Sequence, residues 1–318
     1  MYYRSSTFSN TAAGFEGNVY AVIVAYRRYD RLADALRSID EQSTPVARVI
    51  VVDNTPAEER KRPETRTQLT WLITERNLGG AGGYVLGIAH ALALGADHIL
   101  LLDDDGALVG KEFIADALAE LEATKADLIA PLPIDESHPD QLCFPYRKGI
   151  RRTYRVADVE PMGRIQGFAH LFNGCLAPAE TFTRFGLPDI RLYLRGDEVD
   201  FLQRTLGTGG NVVTSTRLKV THPSARFEAH PVAGRWLMAV DPIDDVKREL
   251  TFRNRGYVFS RHRPLILAAD FVRYFAHYIL HRGDWRGYVK WVRLTIRGMR
   301  SRLGPPTARD GKNNRVEK

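Results

Sequence analysis

Four short apolar runs in the first 103 residues each lead into polar or acidic residues, and helical patterns separate them: Val19–Ala25, Arg48–Val52, Leu69–Thr74 and His98–Leu102. A strand that is apolar on both of its sides has to be covered on both faces. Such strands belong in a parallel sheet with helices above and below. Between the first two runs, Leu32, Ala35, Leu36 and Ile39 recur at helical spacing, and Asp30 is placed to cap that helix. The expected fold class is α/β, with a mostly parallel sheet.

Two of the strands end in carboxylates. The second leads into Asp53-Asn54 and the fourth into Asp103-Asp104-Asp105-Gly106. Parallel strands put these ends on one edge of the sheet, the edge where open α/β sheets bind ligands. Three adjacent carboxylates repel one another, so they suit either a hard divalent cation or a solvated acidic turn ahead of a helix. On an extended segment alternate residues share a side, so Asp103 and Asp105 converge while Asp104 points away. A later strand, Asn211–Val220, runs into Thr221-His222-Pro223, and His222 adds a nitrogen donor. A mixed set of oxygen and imidazole ligands suits Mn²⁺ somewhat better than Mg²⁺.

The glycine-rich stretch from Asn77 to Gly83 follows the third strand and precedes a helix expected to reach Leu94. An NAD-binding fingerprint would need a third glycine where Val85 stands, and it would sit on the first strand. Close backbone approach to a phosphate or ribose is the alternative, with Arg76 and Asn77 as polar contacts; a turn with tight helix packing is the other reading of Gly82 and Gly83. Asp197-Glu198, in Arg195-Gly196-Asp197-Glu198-Val199-Asp200, is a second acidic centre opening a helix to about Leu206. Carboxylates are favoured in a first helical turn in any case, so the residues alone leave a catalytic base and a helix start both open.

A helix over Lys111–Ala123 and a short strand over Leu128–Ala130 are expected, then an irregular insertion or lid from Pro131 to about Arg164. Asn173-Gly174 is expected in a turn. Domain boundaries are placed at an N-terminal extension over 1–18, a catalytic domain over 19–243 and a helical, basic region over 244–318. Of the net charge of +7, residues 261–318 contribute 14 Lys/Arg against 4 Asp/Glu. A basic tail on a neutral body points to an anionic membrane surface rather than to nucleic acid. Trp285, Tyr288, Val289, Val292, Ile296 and Met299 form one face of a C-terminal helix, with Arg286, Lys290, Arg293, Arg297 and Arg300 beside it. Packing on protein or a homo-oligomer interface are the alternatives for that face. The first twenty residues lack an apolar core and no run of some 18 apolar residues occurs, so neither a signal peptide nor a spanning helix is expected. Cys143 and Cys175 lack partners at metal-ligand spacing, and the expected compartment is the reducing cytoplasm.

In order along the chain, VIVAYRR, VVDN, ERNLGGAGG, LLDDDG, an acidic pair before a helix and a strand ending in His resemble the inverting GT-A glycosyltransferases of family 2. RNLGGAGG, LFNG, LYLRGDEV and FRNRGYV are similar to the galactofuranosyltransferases that initiate actinobacterial cell-wall galactan. The resemblance spans about residues 19–260. It implies a GT-A (Rossmann-like) fold, UDP-galactofuranose as donor, a polyprenyl-diphosphate-linked GlcNAc-rhamnose acceptor and Mn²⁺ or Mg²⁺ as cofactor. It further implies a peripheral position on the inner face of the cell membrane. Residue by residue, it assigns Ala25, Tyr26 and Asp53 to uridine, and Arg76, Asn77, Gly79, Gly83 and Asp104 to the donor. Asp103, Asp105 and His222 take the metal, and Glu198, with Asp197 beside it, is the base. The family more often has Glu-Asp or Asp-Asp at that pair. Asn173, Gly174, Trp236, Arg253 and Arg255 are candidates for acceptor or phosphate contacts. A rhamnosyltransferase or other family 2 transferase, an NAD-dependent oxidoreductase and a noncatalytic membrane-binding protein are the alternatives.

Overall fold

The computed structural model describes residues 17–148, 151–224, 228–232 and 237–306. The chain forms two compact units. Residues up to 77, 82–188 and 200–226 make one, and residues 78–81, 189–199 and 227 onward make the other.

The first unit is built on a sheet whose strands are β1 (Val19–Ala25), β2 (Arg48–Asp53), β3 (Leu69–Ile73), β4 (His98–Asp103), β5 (Ala107–Leu108), β6 (Leu128–Asp135), β7 (Gln141–Lys148), β8 (Arg151–Arg155), β9 (Arg164–Gln166), β10 (Asn173–Pro178) and β11 (Val212–His222). Its order is β3-β2-β1-β4-β10-β6-β11-β5, with β7 and β8 extending from β6 and β9 lying on β11. The strands β3, β2, β1 and β4 are parallel, as the apolar runs require. Helices α1 (Tyr29–Asp40), α2 (Gly79–Ala93), α3 (Phe113–Thr124), α4 (Ala179–Phe185) and α5 (Asp197–Gly207) punctuate them, the first three residues of α2 and of α5 being counted with the other unit. The expected helical face Leu32, Ala35, Leu36 and Ile39 is fully buried in one apolar cluster with β1, β2 and α3. Asp30 is not the cap of α1 but lies inside its first turn, where the helix dipole favours an acid.

Three expectations about irregular chain are corrected. The glycines do not form a loop before a helix, because α2 starts at Gly79 itself. A Cβ on Gly83 would come within 2.5 Å of Val24, and one on Gly87 within 2.3 Å of Val22. These glycines stand one helical turn apart and face alternate residues of β1, so their lack of side chains lets the helix lie close on the strand. The stretch expected as an irregular insertion is largely extended: β6 runs on to Asp135, and β7 and β8 pair antiparallel beyond it. Asn173-Gly174 opens β10 rather than forming a turn, with a bulge between Asn173 and Cys175 where Gly174 takes a φ of +86°.

The second unit contains the hairpin β12 (Ala229–Val232) and β13 (Leu237–Val240), then α6 (Asp245–His262), α7 (Pro264–Phe275), a π-helical turn over Ala276–Leu280 and α8 (Trp285–Met299). Asp244 and Asp284 cap α6 and α8 by accepting from Lys247 N and Gly287 N. Phe252, Tyr274, Tyr278 and Trp291 form its core with Val232 and Ala239. A Cβ on Gly298 would come within 1.8 Å of the Arg253 carbonyl oxygen, and one on Gly256 within 2.3 Å of that of Thr295, so α6 and α8 meet backbone to backbone. The face of α8 turned inward is therefore Trp291, Thr295 and Gly298, with Tyr288 and Val292 beside it. Trp285 and Met299, expected on the apolar face, are exposed. No described helix is long and apolar enough to cross a membrane.

Candidate functional site

The parallel register aligns the carboxyl ends of three strands. Ala25 pairs with Asp53 and Val24 with Asp103, so all three meet at the point where neighbouring strands leave β1 in opposite directions. Past Asp105 and Gly106 the chain pairs at once with the end of β11, Ala107 facing Thr221. This antiparallel contact explains how a histidine 117 residues later in sequence reaches the acidic turn. The ligand atoms of Asp103, Asp105 and His222 all lie within 4.8 Å of one another.

The surroundings fit a divalent cation. His222 Nδ1 is 2.7 Å from the Pro223 carbonyl, to which it can only donate, and this leaves Nε2 toward Asp105 at 3.4 Å. The Cys143 thiol donates to the His222 carbonyl. Burial, reinforced by the neighbouring charge of Asp105, pushes the Asp103 carboxyl up to about 6. Burial likewise pushes Asp104 up to about 7, against the pull of Arg28. Asp105 is held below its usual range: burial opposes this, but the hydrogen bond with His222 and the Arg28 charge outweigh it, and His222 is raised in turn. Partly desolvated carboxylates of like charge are costly unless a cation neutralises them. The set of two oxygens and one nitrogen suits such an ion.

Asp104 does point away from the pair. Its Oδ2 accepts from Tyr26 N at 2.9 Å and its Oδ1 lies 2.5 Å from Arg28, which also pairs with Asp105. Asp53 is fully buried, accepting from the Tyr29 hydroxyl (2.9 Å) and Thr55 N (3.0 Å). Arg76 and Asn77 are exposed, whereas Gly79, with φ +71°, packs so that a Cβ would meet the Tyr193 carbonyl at 2.1 Å. Asn173 is buried.

Five residues around the acidic turn had no role assigned from the sequence. The Tyr84 hydroxyl donates to Asp103 Oδ1 at 2.7 Å, and its fully buried ring stacks on Phe172 with centroids 3.8 Å apart. Phe172 in turn accepts from Asp103 N through its carbonyl (2.7 Å), so one stack fixes both ends of Asp103. Phe144 lies between His170 and His222, at 4.5 and 5.6 Å between ring centres. Burial, with the His222 charge nearby, lowers His170 to about 4, so it is neutral near pH 7. Arg28 supplies the charge facing Asp104 and Asp105. The signal for Tyr84 was faint: a hydroxyl on the otherwise apolar face carrying Ile88.

In the second unit, Asp197 is buried and Glu198 half-exposed at the start of α5. The backbone ahead of them has positive φ at Tyr193, Arg195 and Gly196. Such a loop needs external restraint. Asn254 provides it: the fully buried amide donates to the carbonyls of Leu192, Leu194 and Arg195 at 2.8, 3.0 and 2.7 Å. Arg195 itself forks onto Glu228. The arginines of Phe252-Arg253-Asn254-Arg255, expected as acceptor or phosphate contacts, have partners within the protein. Arg253 is fully buried, donating to the Gly304 carbonyl (2.7 Å) and Asn254 Oδ1 (2.9 Å), and burial lowers it to about 10. Arg255 is paired with buried Asp270 and stacks over Phe259 at 4.0 Å. Trp236 lies outside the described residues.

The family model for glycosyl transferase family 2 matches residues 20–172. Over 298 residues the chain is 36% identical to galactofuranosyltransferase GlfT1 of Mycobacterium tuberculosis, covering 91% of this chain and 98% of that protein. With GlfT1 of Mycolicibacterium smegmatis it shares 35% over 294 residues, covering 90% and 97%. Among solved structures, mannosyltransferase PcManGT from Pyrobaculum calidifontis, in complex with GDP-Man and Mn²⁺, superposes with a TM-score of 0.51 at 12% identity, covering 91% of this chain and 75% of that one. Kinship along nearly the whole length of two mycobacterial enzymes, on a fold shared with a mannosyltransferase, makes this chain a glycosyltransferase of family 2.

Proposed function

We propose that the chain transfers galactofuranose from UDP-galactofuranose to a polyprenyl-diphosphate-linked GlcNAc-rhamnose acceptor, by a single inverting displacement on the inner face of the membrane. The convergence of Asp103, Asp105 and His222 at the carboxyl edge of the sheet carries this reading. The likeness to mycobacterial galactofuranosyltransferases supports the choice of donor. Asp103, Asp105 and His222 are the residues that would hold Mn²⁺ or Mg²⁺. Such an ion, when bound, supplies charge neutralisation for a departing diphosphate.

The chain's own residues then divide the work. Ala25, Tyr26 and Asp53 receive uridine, while Arg76, Asn77, Gly79, Gly83 and Asp104 belong to the donor side. Tyr84 holds one oxygen of Asp103, leaving its other oxygen to a ligand. The Glu198 carboxylate takes the proton from the acceptor hydroxyl as it attacks the anomeric carbon, and Asp197 starts the helix beside it. Removing the carboxylate base should lower turnover by roughly 10²- to 10⁴-fold. Glu198→Gln, assayed for UDP release with donor and acceptor saturating, tests the assignment; turnover retained in that variant contradicts it.

A further inference from the structure

Helix α7 breaks the rule that a helix covering a core shows polar residues to water. Its inward face is Leu267, Asp270 and Tyr274, all buried. Its outward face is also apolar: Leu265, Ala268, Ala269, Val272 and Phe275 recur at helical spacing, and all are exposed. Leu265 is 86% exposed, Val272 70% and, past the π-helical turn, Leu280 71%. The stripe continues toward α8, where the Phe275 ring meets Tyr288 edge-on at 5.6 Å and Trp285, one turn earlier, is 62% exposed.

Charge decides what this face fits. Residues 261–306 hold ten Lys/Arg and two acids. One acid, Asp270, is fully buried between Arg255 and Arg273, and the other, Asp284, caps α8. Exposed Arg261 and Arg263 precede the stripe, and exposed Arg282, which also pairs with buried Asp241, and Arg286 follow it, Arg286 lying over the Trp285 ring. Lys290, which also pairs with Asp245, and Arg293 line a groove with Trp285 and Val289. A second copy of the chain docking here would set these cations against their own kind. An anionic leaflet accepts both the apolar stripe and the cationic ends, the composition of an interfacial helix.

We propose that the outward face of α7, with Leu280 and Trp285, seats in the headgroup layer of an anionic bilayer, flanked by Arg261, Arg263, Arg282 and Arg286. This rests on the proposed work at a membrane and names the surface that makes the contact, in place of the wider face of α8. The test is sedimentation of the full chain with vesicles of phosphatidylcholine containing phosphatidylglycerol, or of phosphatidylcholine alone, without donor, acceptor or metal. The chain should bind the anionic vesicles. Val272→Asp and Leu265→Asp, both at exposed positions, should each weaken binding about 10-fold or more, and 0.5 M salt should weaken wild-type binding without abolishing it. Activity on a short, water-soluble acceptor should be the same in both variants as in wild type.

Absence of vesicle binding overturns the proposal, as does binding unaffected by both substitutions. A self-association that Val272→Asp disrupts, seen by light scattering without vesicle binding, assigns the face to a second copy and also overturns it. Glu198→Gln should still sediment with anionic vesicles, so failure of the catalytic assignment leaves this result standing.

Discussion

Replacing Tyr84 by Phe removes one hydroxyl and little else. The ring stack on Phe172 survives, so the fold should too, and the change isolates the 2.7 Å bond to Asp103. Hydrogen bonds to charged partners contribute about 1.5–3 kcal/mol, and loss of an outer partner of a metal ligand commonly weakens metal binding about 10- to 100-fold. The expected loss of Mn²⁺ affinity at pH 7 is therefore about 1.4–2.7 kcal/mol. The pH dependence has a definite sign. Burial and Asp105 already push Asp103 up to about 6, and the Tyr84 hydroxyl is among the groups holding it down. Without that hydroxyl its affinity for a proton rises further, so the proton competes with the metal near neutrality. The defect should shrink as pH is raised from 7 to 9. Free Mn²⁺ followed by electron paramagnetic resonance during titration measures this without any turnover. Equal affinities at pH 7, or a defect that does not change with pH, would show that the Tyr84 hydroxyl does not tune Asp103.

Asn254→Ala should destabilise the fold by about 1–3 kcal/mol, because the Leu194 and Arg195 carbonyls lose their amide donor and Leu192 keeps only the longer bond from Arg253; denaturant unfolding checks this, and a change under 0.5 kcal/mol contradicts it. Acid sensitivity should trace to Asp241. Burial alone would raise its carboxyl, but hydrogen bonds from His277 and Arg248 hold it at about 2. Its folded value lies below the unfolded one, so its stabilisation of about 2 kcal/mol is complete above about pH 4 and is lost as pH falls toward 2. The stability gap between wild type and Asp241→Asn should close over that window; a constant gap contradicts the assignment.

Much of the sheet was legible because its signal is local. The apolar runs at Val19, Arg48, Leu69 and His98 each became a parallel strand, and Asp103 and Asp105 do converge, though through a turn that follows the end of β4 rather than through the alternation of extended chain. Glycine was ambiguous, since Gly83 and Gly87 carry the same local signal whether they bend a loop or let a helix approach Val24 and Val22. The paired segment from Pro131 to Arg155 was missed because its partners lie on other strands and its prolines and arginines disguise extended chain. Tyr84, Arg28 and His170 gain their roles from contacts with residues 19 to 77 positions away, which no local window displays. The burial of Arg253 was hidden for the opposite reason: a motif of alternating arginines suggested ligand contact, and only the fold shows that residue donating to the Gly304 and Leu192 carbonyls. On α8, helical spacing defined an amphipathic element correctly, yet the seam was set by Gly256 and Gly298, whose significance emerges only when two backbones touch.

Metal-assisted sugar transfer on Asp103, Asp105 and His222 is open to one assay. Its most direct test is UDP release from UDP-galactofuranose with a polyprenyl-diphosphate-GlcNAc-rhamnose acceptor, in wild type and Asp105→Asn, with Mn²⁺, with Mg²⁺ and with chelator, against UDP-galactopyranose and dTDP-rhamnose. The expected result is release that requires UDP-galactofuranose, acceptor and a divalent ion together, and that falls at least 100-fold in the variant. Release that persists in chelator, or that Asp105→Asn leaves intact, contradicts it.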